Sequence, residues 1–451
     1  MKNRLLASIA LCFIAAPAFA DETAFPAKLT YQAVLPANTI IKAPSNAPAF
    51  LQTAAKFTTP DRLRAEKLAS VPGMDGARKT NLSMPFDGQA VQGFSGIKTM
   101  ADGTFWSLSD NGFGTKANSS DAMLMLHHLK FGWESGKVER LETVFLSDPK
   151  KIAPFPITLE GTDTRYLTGA DFDIESIQPV ADGFWIAEEL GPYLIKVNLK
   201  GELEAVYPTT VDGKPVLSPD NPLLSLPSDP SKPMPAFNLR RSNGFEGLAM
   251  SKDGSKLYGL LEGPIYLGEG KFEQVDGQNA LRIIEFSTAN KAWTGRSWLY
   301  PLSAGGTNIG DFNMVDDTTG LIIERDGGSG TADKACADPA KPQADCFDKP
   351  AKHKRIYKIE MTDANVGKAV RKIGYIDLMK IADPDHKASQ GSMNGTYTMP
   401  FVTIENVDVV DATHIVVGND NNLPFSAGRA VDKADDNEFV LLDVADFLKA
   451  K

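Results

Sequence analysis

The chain has 451 residues, with 57 acidic against 47 basic side chains and a formal net charge of −10. A hydrophobic fraction of 42% and a charged fraction of 23% are those of a globular chain and exclude a disordered or fibrous one. The acidic balance argues against nucleic acid as a partner. Past Ala20 no apolar run approaches the ~20 residues of a membrane-spanning helix, so no membrane span is expected.

The N-terminus carries Lys2 and Arg4, an apolar run over 5–16, and then Pro17-Ala18-Phe19-Ala20, a small-residue cleavage pattern. This predicts a signal peptide over 1–20, cut before Asp21, and a periplasmic or secreted protein. A lipid anchor at Cys12 is the competing reading, and the bulky Leu11 before it argues against that. Cleavage removes two basic residues, so the mature charge is −10 − 2 = −12, and it leaves only Cys336 and Cys346. In an exported chain these two predict one disulfide, closing a short loop and contributing about 2–3 kcal/mol. A metal site there would need further ligands, which His353 alone does not supply.

Good helix formers occur over 62–69, after Pro60, and again over 443–449. Elsewhere short runs of Val, Ile, Phe, Trp and Tyr are broken by Asp-Gly, Asn-Gly and Pro, the pattern of an all-β protein. Five segments repeat one plan, in which a small or acidic residue opens a strand, a turn follows, and a second strand ends in acids or Asn. They cover 95–111, 175–189, 246–262, 311–326 and 405–422. The turn aspartates Asp102, Asp182 and Asp253 stand 7 residues after the opening residue, and Asp317 and Asp411 stand 6 after it.

Successive copies begin 80, 71, 65 and 94 residues apart, more than a bare four-stranded blade, so each carries insertions. The Pro-rich stretch 211–235 and the Gly/Lys/Pro-rich stretch 327–352 are two of them. Antiparallel modules of this kind are most simply closed around an axis, because closure leaves few exposed strand edges. The expectation is a single β-propeller over 85–451, preceded by an N-terminal segment, 21–84. The flanks at 28–42 and 438–442 could combine into a closing blade, which gives six blades, with seven also open. A sandwich or a two-domain β protein is the alternative.

In a tight hairpin, residues equidistant from the turn face one another. Centring on Asp102-Gly103 sets Ser95 against Asp110, and the same reasoning sets Glu175 one step from Glu189 and Glu246 one step from Glu262. Closed into a propeller, the copies gather a ring of carboxylates: Asp110, Glu175, Glu188, Glu189, Glu246, Glu262, Glu324, Asp326, Glu405 and Asp420. Crowded carboxylates repel unless a cation neutralises them, and many hard oxygen ligands suit Ca²⁺. The five histidines, His127, His128, His353, His386 and His414, show no zinc-ligand spacing. The plainer alternative is that these acids are solvated strand-end residues. Arg240, Arg325 and Arg429 stand beside the acids as candidate phosphate ligands or as structural counter-ions. Neither Gly93-Phe94-Ser95-Gly96-Ile97 nor Gly327-Gly328-Ser329-Gly330-Thr331 completes a nucleophile elbow. Walker, HExxH and dinucleotide motifs are absent.

The stretches GFSGIKTMADGTFWSLSDNG (93–112), DIESIQPVADGFWIAEELGPYLIKVNLKGEL (173–203), RRSNGFEGLAMSKDGSKLYGLLEG (240–263), LIIERDGG (321–328), KRIYKIE (354–360) and TIENVDVVDATHIVVGNDNN (403–422) resemble the bacterial phytase-like family described as "esterase-like activity of phytase". The resemblance covers roughly residues 85–445 and implies a propeller akin to the calcium-dependent phytases. Ser95 departs from the acidic pattern, leaving one ring position without a carboxylate.

Together these readings predict an exported Ca²⁺-dependent phosphoester hydrolase acting on a small phosphorylated substrate. Glu175, Glu189 and Glu246 would be its catalytic acids, and Arg240, Arg325 and Arg429 its phosphate ligands. A non-catalytic propeller with a structural ion is the second reading, and a carboxylesterase the third.

Overall fold

The computed structural model describes residues 22–57, 70–224, 227–229, 231–233 and 235–451. The expected signal peptide and the expected helix over 62–69 lie outside the described residues. Burial along the strands follows their place in the fold. Gly183–Glu188 and Thr319–Arg325 are buried at every position, as strands covered on both faces must be. The outer strand Lys137–Phe145 is instead largely exposed or half-buried.

The strands form five four-stranded antiparallel blades among the described residues. Blade one runs Phe94–Thr99, Phe105–Ser109, Met125–Gly132 and Lys137–Phe145. Blade two runs Ile174–Val180, Gly183–Glu188, Tyr193–Asn198 and Leu203–Pro208. Blade three uses Phe245–Met250, Lys256–Leu261, Gln278–Ser287 and Ala292–Pro301. Blade four uses Asn308–Met314, Thr319–Arg325, Lys354–Glu360 and Arg371–Asp377. Blade five takes Asn406–Val409, His414–Gly418 and Asn437–Asp443, and then Lys28–Leu35 from the other end of the chain. The first strands of the five blades neighbour one another in order around the axis, blade five's against blade one's. This is a β-propeller.

Five blades among the described residues correct the expected six. The two flanks do pair, with Tyr31 opposite Leu441 and Ala33 opposite Phe439, but they complete the blade that the fifth repeat begins. That repeat contributes three strands after residue 405, and Lys28–Leu35 covers its otherwise open edge. The C-terminal helix is Ala445–Lys449. Cys336 and Cys346 form a disulfide with Cα atoms 4.9 Å apart, within the insertion at 327–352.

Beneath one mouth of the axis, Asp311 ties four blades together. Its carboxylate accepts from the N–H groups of Ile97 (3.3 Å), Phe312 (2.8 Å) and Val407 (3.1 Å), and from Ser176 Oγ (3.1 Å). Asn313 Nδ2 donates to the carbonyls of Ile97 and Val407, and Gln178 Nε2 reaches Leu248 O of blade three and Asn313 Oδ1. The inner strands approach so closely that a side chain on Gly96 (φ 69°) would lie 2.8 Å from the Ser176 Cα. Burial, the largest influence, raises the Asp311 carboxyl to about 7, against the opposing pull of its backbone donors.

Replacing Asp311 with Asn keeps the shape but turns an amide NH2 toward backbone N–H groups, which can only donate. Asp311→Asn is expected to lower stability by about 2–3 kcal/mol, the worth of a hydrogen-bonded charge, read as a lower urea midpoint at unchanged m-value. A midpoint equal to wild type would remove Asp311 from this role.

Candidate metal centre

Each of blades one to four carries a β-bulge in its first strand: between Ser95 and Ile97, Ile174 and Ser176, Phe245 and Gly247, and Ile309 and Phe312. A bulge places two residues opposite one and re-aims a side chain, so the simple hairpin sum shifts. Ser95 pairs with Leu108, and the Asp110 N–H donates to Gly93 O (2.9 Å). Likewise the Glu189 N–H donates to Asp173 O (2.8 Å) and the Glu262 N–H to Gly244 O (2.7 Å), while Asn308 pairs with Arg325.

In this register the opening position is held by Ser95, Glu175, Glu246, Gly310 and Glu405, and the closing position by Asp110, Glu189, Glu262, Arg325 and Asp420. Asp311 falls one residue past the opening position, which takes it out of the ring and into the polar knot below. Gly93 lies where a side chain would meet Asp110 Oδ1 at 2.2 Å. The ring needs glycine there.

Three overlapping groups of buried carboxylates meet at the mouth: Asp173, Glu175 and Glu189; Glu175, Glu246 and Glu405; and Glu189, Glu246 and Glu262. Within each group one oxygen per residue lies within 4.8 Å of the others. Glu175, Glu189 and Glu246 are only 8%, 5% and 5% exposed, and each belongs to two groups. Among the described residues no N–H or alcohol donor reaches their carboxylates; Glu175 and Glu189 meet the Asp173 carboxyl, a hydrogen bond that exists only when one partner keeps its proton.

The outer members are better served. Glu262 accepts from Asn243 (2.9 Å) and Asn308 (2.8 Å), Glu405 from Ser95 Oγ (2.8 Å), Asp173 from Asn111 Nδ2 (2.6 Å), and Asp420 from Thr403 Oγ1 (3.1 Å). Arg325 bridges Glu262 (3.3 Å) and Glu405 (3.1 Å) and is the cation within the ring. Burial comes first among the causes that raise Asp110, Glu175, Glu189 and Glu246 well above the ordinary carboxyl range, and neighbouring carboxylates add to it. The same causes lift Asp420 to about 8. Burial disfavours the Arg325 charge, but Glu405, Glu262 and Glu246 outweigh it and raise its pKa.

Three of the expected ring acids sit elsewhere. Successive strand residues face opposite ways, so Glu188 and Glu324 turn away from the axis where Glu189 and Arg325 turn toward it. Glu188 accepts the N–H groups of Leu190, Gly191 and Tyr193. Glu324 binds His353, Tyr300 and Lys372. Asp326 pairs with Lys354 and accepts the N–H groups of Gly328, Lys352 and His353. Of the three arginines only Arg325 reaches the ring. Arg240 is exposed and stacks on Phe272 (4.3 Å), while Arg429 is half-buried against Glu438 (2.8 Å) and Tyr397. Asp173 was missed, although the alternation Asp173-Ile174-Glu175 already places both acids on one strand face.

A model of the phytase-like family, "esterase-like activity of phytase", matches residues 89–423. The chain belongs to this family. A secreted protein of Arthroderma benhamiae, described as uncharacterized, is 36% identical over 98 residues, which is 20% of this chain and 19% of that one. The chain therefore matches about a fifth of that relative's length.

Among solved structures it is similar to the Dos1 propeller (9% identity, 82% of this chain and 69% of that one, TM-score 0.30). It is also similar to a glutaminyl cyclase of Myxococcus xanthus (11% identity, 84% and 95%, TM-score 0.32).

Beside the ring of this phytase-like propeller lies a cleft of about 820 Å³ whose lining includes Asp173, Lys116, Asn118, Arg241 and Ser242. Arg241 pairs with Asp220. Lys116 makes no ion pair among the described residues.

Unfolded carboxyls ionise near pH 4, whereas Asp420 holds its proton to about 8 and four further ring acids are raised well above normal. Between those pH values the native state binds protons that the unfolded chain has lost, so stability falls as pH rises. In chelator, Tm is expected to drop by roughly 5 °C or more from pH 5 to pH 8. A flat or rising profile would mean that the ring charge is compensated without protons.

Proposed function

We propose that the axial ring holds a divalent cation, with Ca²⁺ the best fit, and that the protein is an exported metal-dependent phosphoester hydrolase. The observation that carries this reading is the trio Glu175, Glu189 and Glu246, buried side by side with no N–H or alcohol donor to any of them among the described residues. Buried carboxylates without donors require protons or a cation. The donor set is entirely carboxylate oxygen, which suits a hard ion of flexible coordination and not zinc. Asp173, Glu262 and Glu405 complete the residues that would hold it.

When bound, such a cation supplies positive charge to a phosphoryl group and makes water more acidic. The chain's own residues do the remaining work. Arg325, fixed on Glu262 and Glu405, sets positive charge at the mouth where a phosphoryl oxygen would approach. Lys116 and Arg241, in the adjoining cleft, would orient the substrate's remaining anionic groups. This assigns to Arg241 the contact that the sequence pattern suggested for Arg240. Arg429, half-buried and paired with the buried Glu438, is a structural counter-ion in this reading. Export accords with the Cys336–Cys346 disulfide and with the absence, among the described residues, of any helix long and apolar enough to cross a membrane.

The test measures phosphate release from phytate and from a phosphodiester, and acyl release from a short-chain ester, with EDTA or added Ca²⁺. Phosphate release that EDTA abolishes and Ca²⁺ restores is expected. Glu175→Gln with Glu246→Gln should weaken Ca²⁺ binding by on the order of a hundredfold, the upper end of what even outer-shell changes cost. A Ca²⁺-raised Tm without turnover would leave the ion structural. Acyl cleavage that resists chelation would replace this reading by an esterase.

A further inference from the structure

A second cluster of charged groups lies away from the axis, where the loop after blade three meets the outer strands of blade four. A cleft of about 810 Å³ opens there, lined by Glu22, Ser303, His353, Arg355, Lys372 and Tyr375. Its floor is a buried network. Lys372 Nζ donates to Ser303 Oγ (2.7 Å) and Glu324 Oε2 (2.9 Å) and lies 4.5 and 4.0 Å from the rings of Tyr300 and Tyr357. His353 Nε2 is 2.9 Å from Glu324 Oε1. Burial opposes the Glu324 charge, but His353, Lys372 and Tyr300 hold its pKa down to about 2. Glu324 is therefore the anion that answers Lys372.

Arg355 donates to Tyr357 OH (3.0 Å) but has no buried carboxylate of its own among the described residues. Its guanidinium stacks 3.9 Å above Tyr375, and its carboxylate partner among the described residues is Glu22 (3.4 Å). The Glu22 carboxylate collects four contacts: Tyr357 OH (2.6 Å), Ser303 Oγ (3.0 Å), Arg355 Nη1 (3.4 Å) and Lys372 Nζ (3.9 Å). Tyr357 is fully buried and the Lys372 side chain is 12% exposed, so the cradle is built into the blade. Glu22 itself is 32% exposed. The strand that brings it there is short, with Ala24 and Phe25 pairing in parallel with Tyr375 and Ile376.

Without Glu22, Lys372 keeps Glu324 but Arg355 has no carboxylate within 4 Å among the described residues, because Asp276 on the same cleft pairs with neither cation. Donors converge on one carboxylate, open space remains beside it, and the segment that delivers it is held by a two-residue pairing, the Tyr375 N–H bond to Thr23 O (2.9 Å) and the Phe25 ring against Phe447. We propose that this cleft is a binding site for a small carboxylate, that Glu22 occupies it as an internal ligand, and that an external carboxylate exchanging with Glu22 releases the N-terminal strand from blade four. Nothing in this depends on the axial ring.

The test is rescue in the full-length protein. Glu22→Ala should lower Tm, and acetate should restore it saturably where equal chloride does not. The apparent affinity for acetate should be at least tenfold tighter than in wild type, where the tethered carboxylate competes at an effective concentration on the order of millimolar. The rescue should vanish in Glu22→Ala/Lys372→Met. If that variant does not fold, Glu22→Ala/Arg355→Gln, altered at a partly exposed side chain, serves the same purpose. Rescue should be equal in EDTA and in Ca²⁺, which keeps it separate from the ring. No saturable acetate response in Glu22→Ala, rescue that survives loss of Lys372 or Arg355, or a response to inorganic phosphate but not acetate would each overturn the proposal.

Discussion

Five inner strands meet around one buried carboxylate. Asp311 takes donors from blades one, two, four and five, and Asn313 and Gln178 extend the net to blade three. Backbone N–H groups at the bulges would otherwise point into a narrow axis with no partner, and burying them unpaired costs more than most single contacts return. The knot satisfies them and sets the distance between blades. Every side chain projecting from the inner strands is placed by that distance.

The ring follows from this closure. Once the inner strands are drawn together, acids at the opening and closing positions of neighbouring blades share a small volume, and burial strengthens their mutual repulsion. Arg325 answers part of it by standing at the closing position of blade four, where the other blades carry Asp or Glu. The remaining charge falls on Glu175, Glu189 and Glu246, which have acid neighbours and, among the described residues, no N–H or alcohol donors. A single fold device, the bulge, produces both features, since it turns Glu175 and Glu246 toward the mouth and leaves Asp311 one residue deeper.

Much of this was legible in the residues. Apolar runs punctuated by Asp-Gly marked strands and turns, and the repeated distance from opening residue to turn marked the blades. Recurring acids at matched places marked the ring, and Asp110, Glu175, Glu189, Glu246, Glu262, Glu405 and Asp420 do converge. The choice between neighbours was not legible without register. Glu188 or Glu189, and Glu324, Arg325 or Asp326, look alike as letters, and a one-residue bulge decides which faces the axis. Blade number was hidden for a related reason. Whether Lys28–Leu35 starts a blade or finishes one depends on which open edge it meets, and that edge lies more than 400 residues away in sequence.

Local pattern alone determined that this is a repeated β protein with acids at recurrent strand ends, because alternation, turn chemistry and spacing act over a few residues. Only the closed tertiary structure decided the count of five, the separation of Glu324 and Arg429 from the ring, the inclusion of Asp173, and the seating of Glu22 beside Arg355. Those outcomes depend on which distant segments share space, and it is convergence around a common axis that turns scattered, ordinary carboxylates into a buried cluster with raised pKa values.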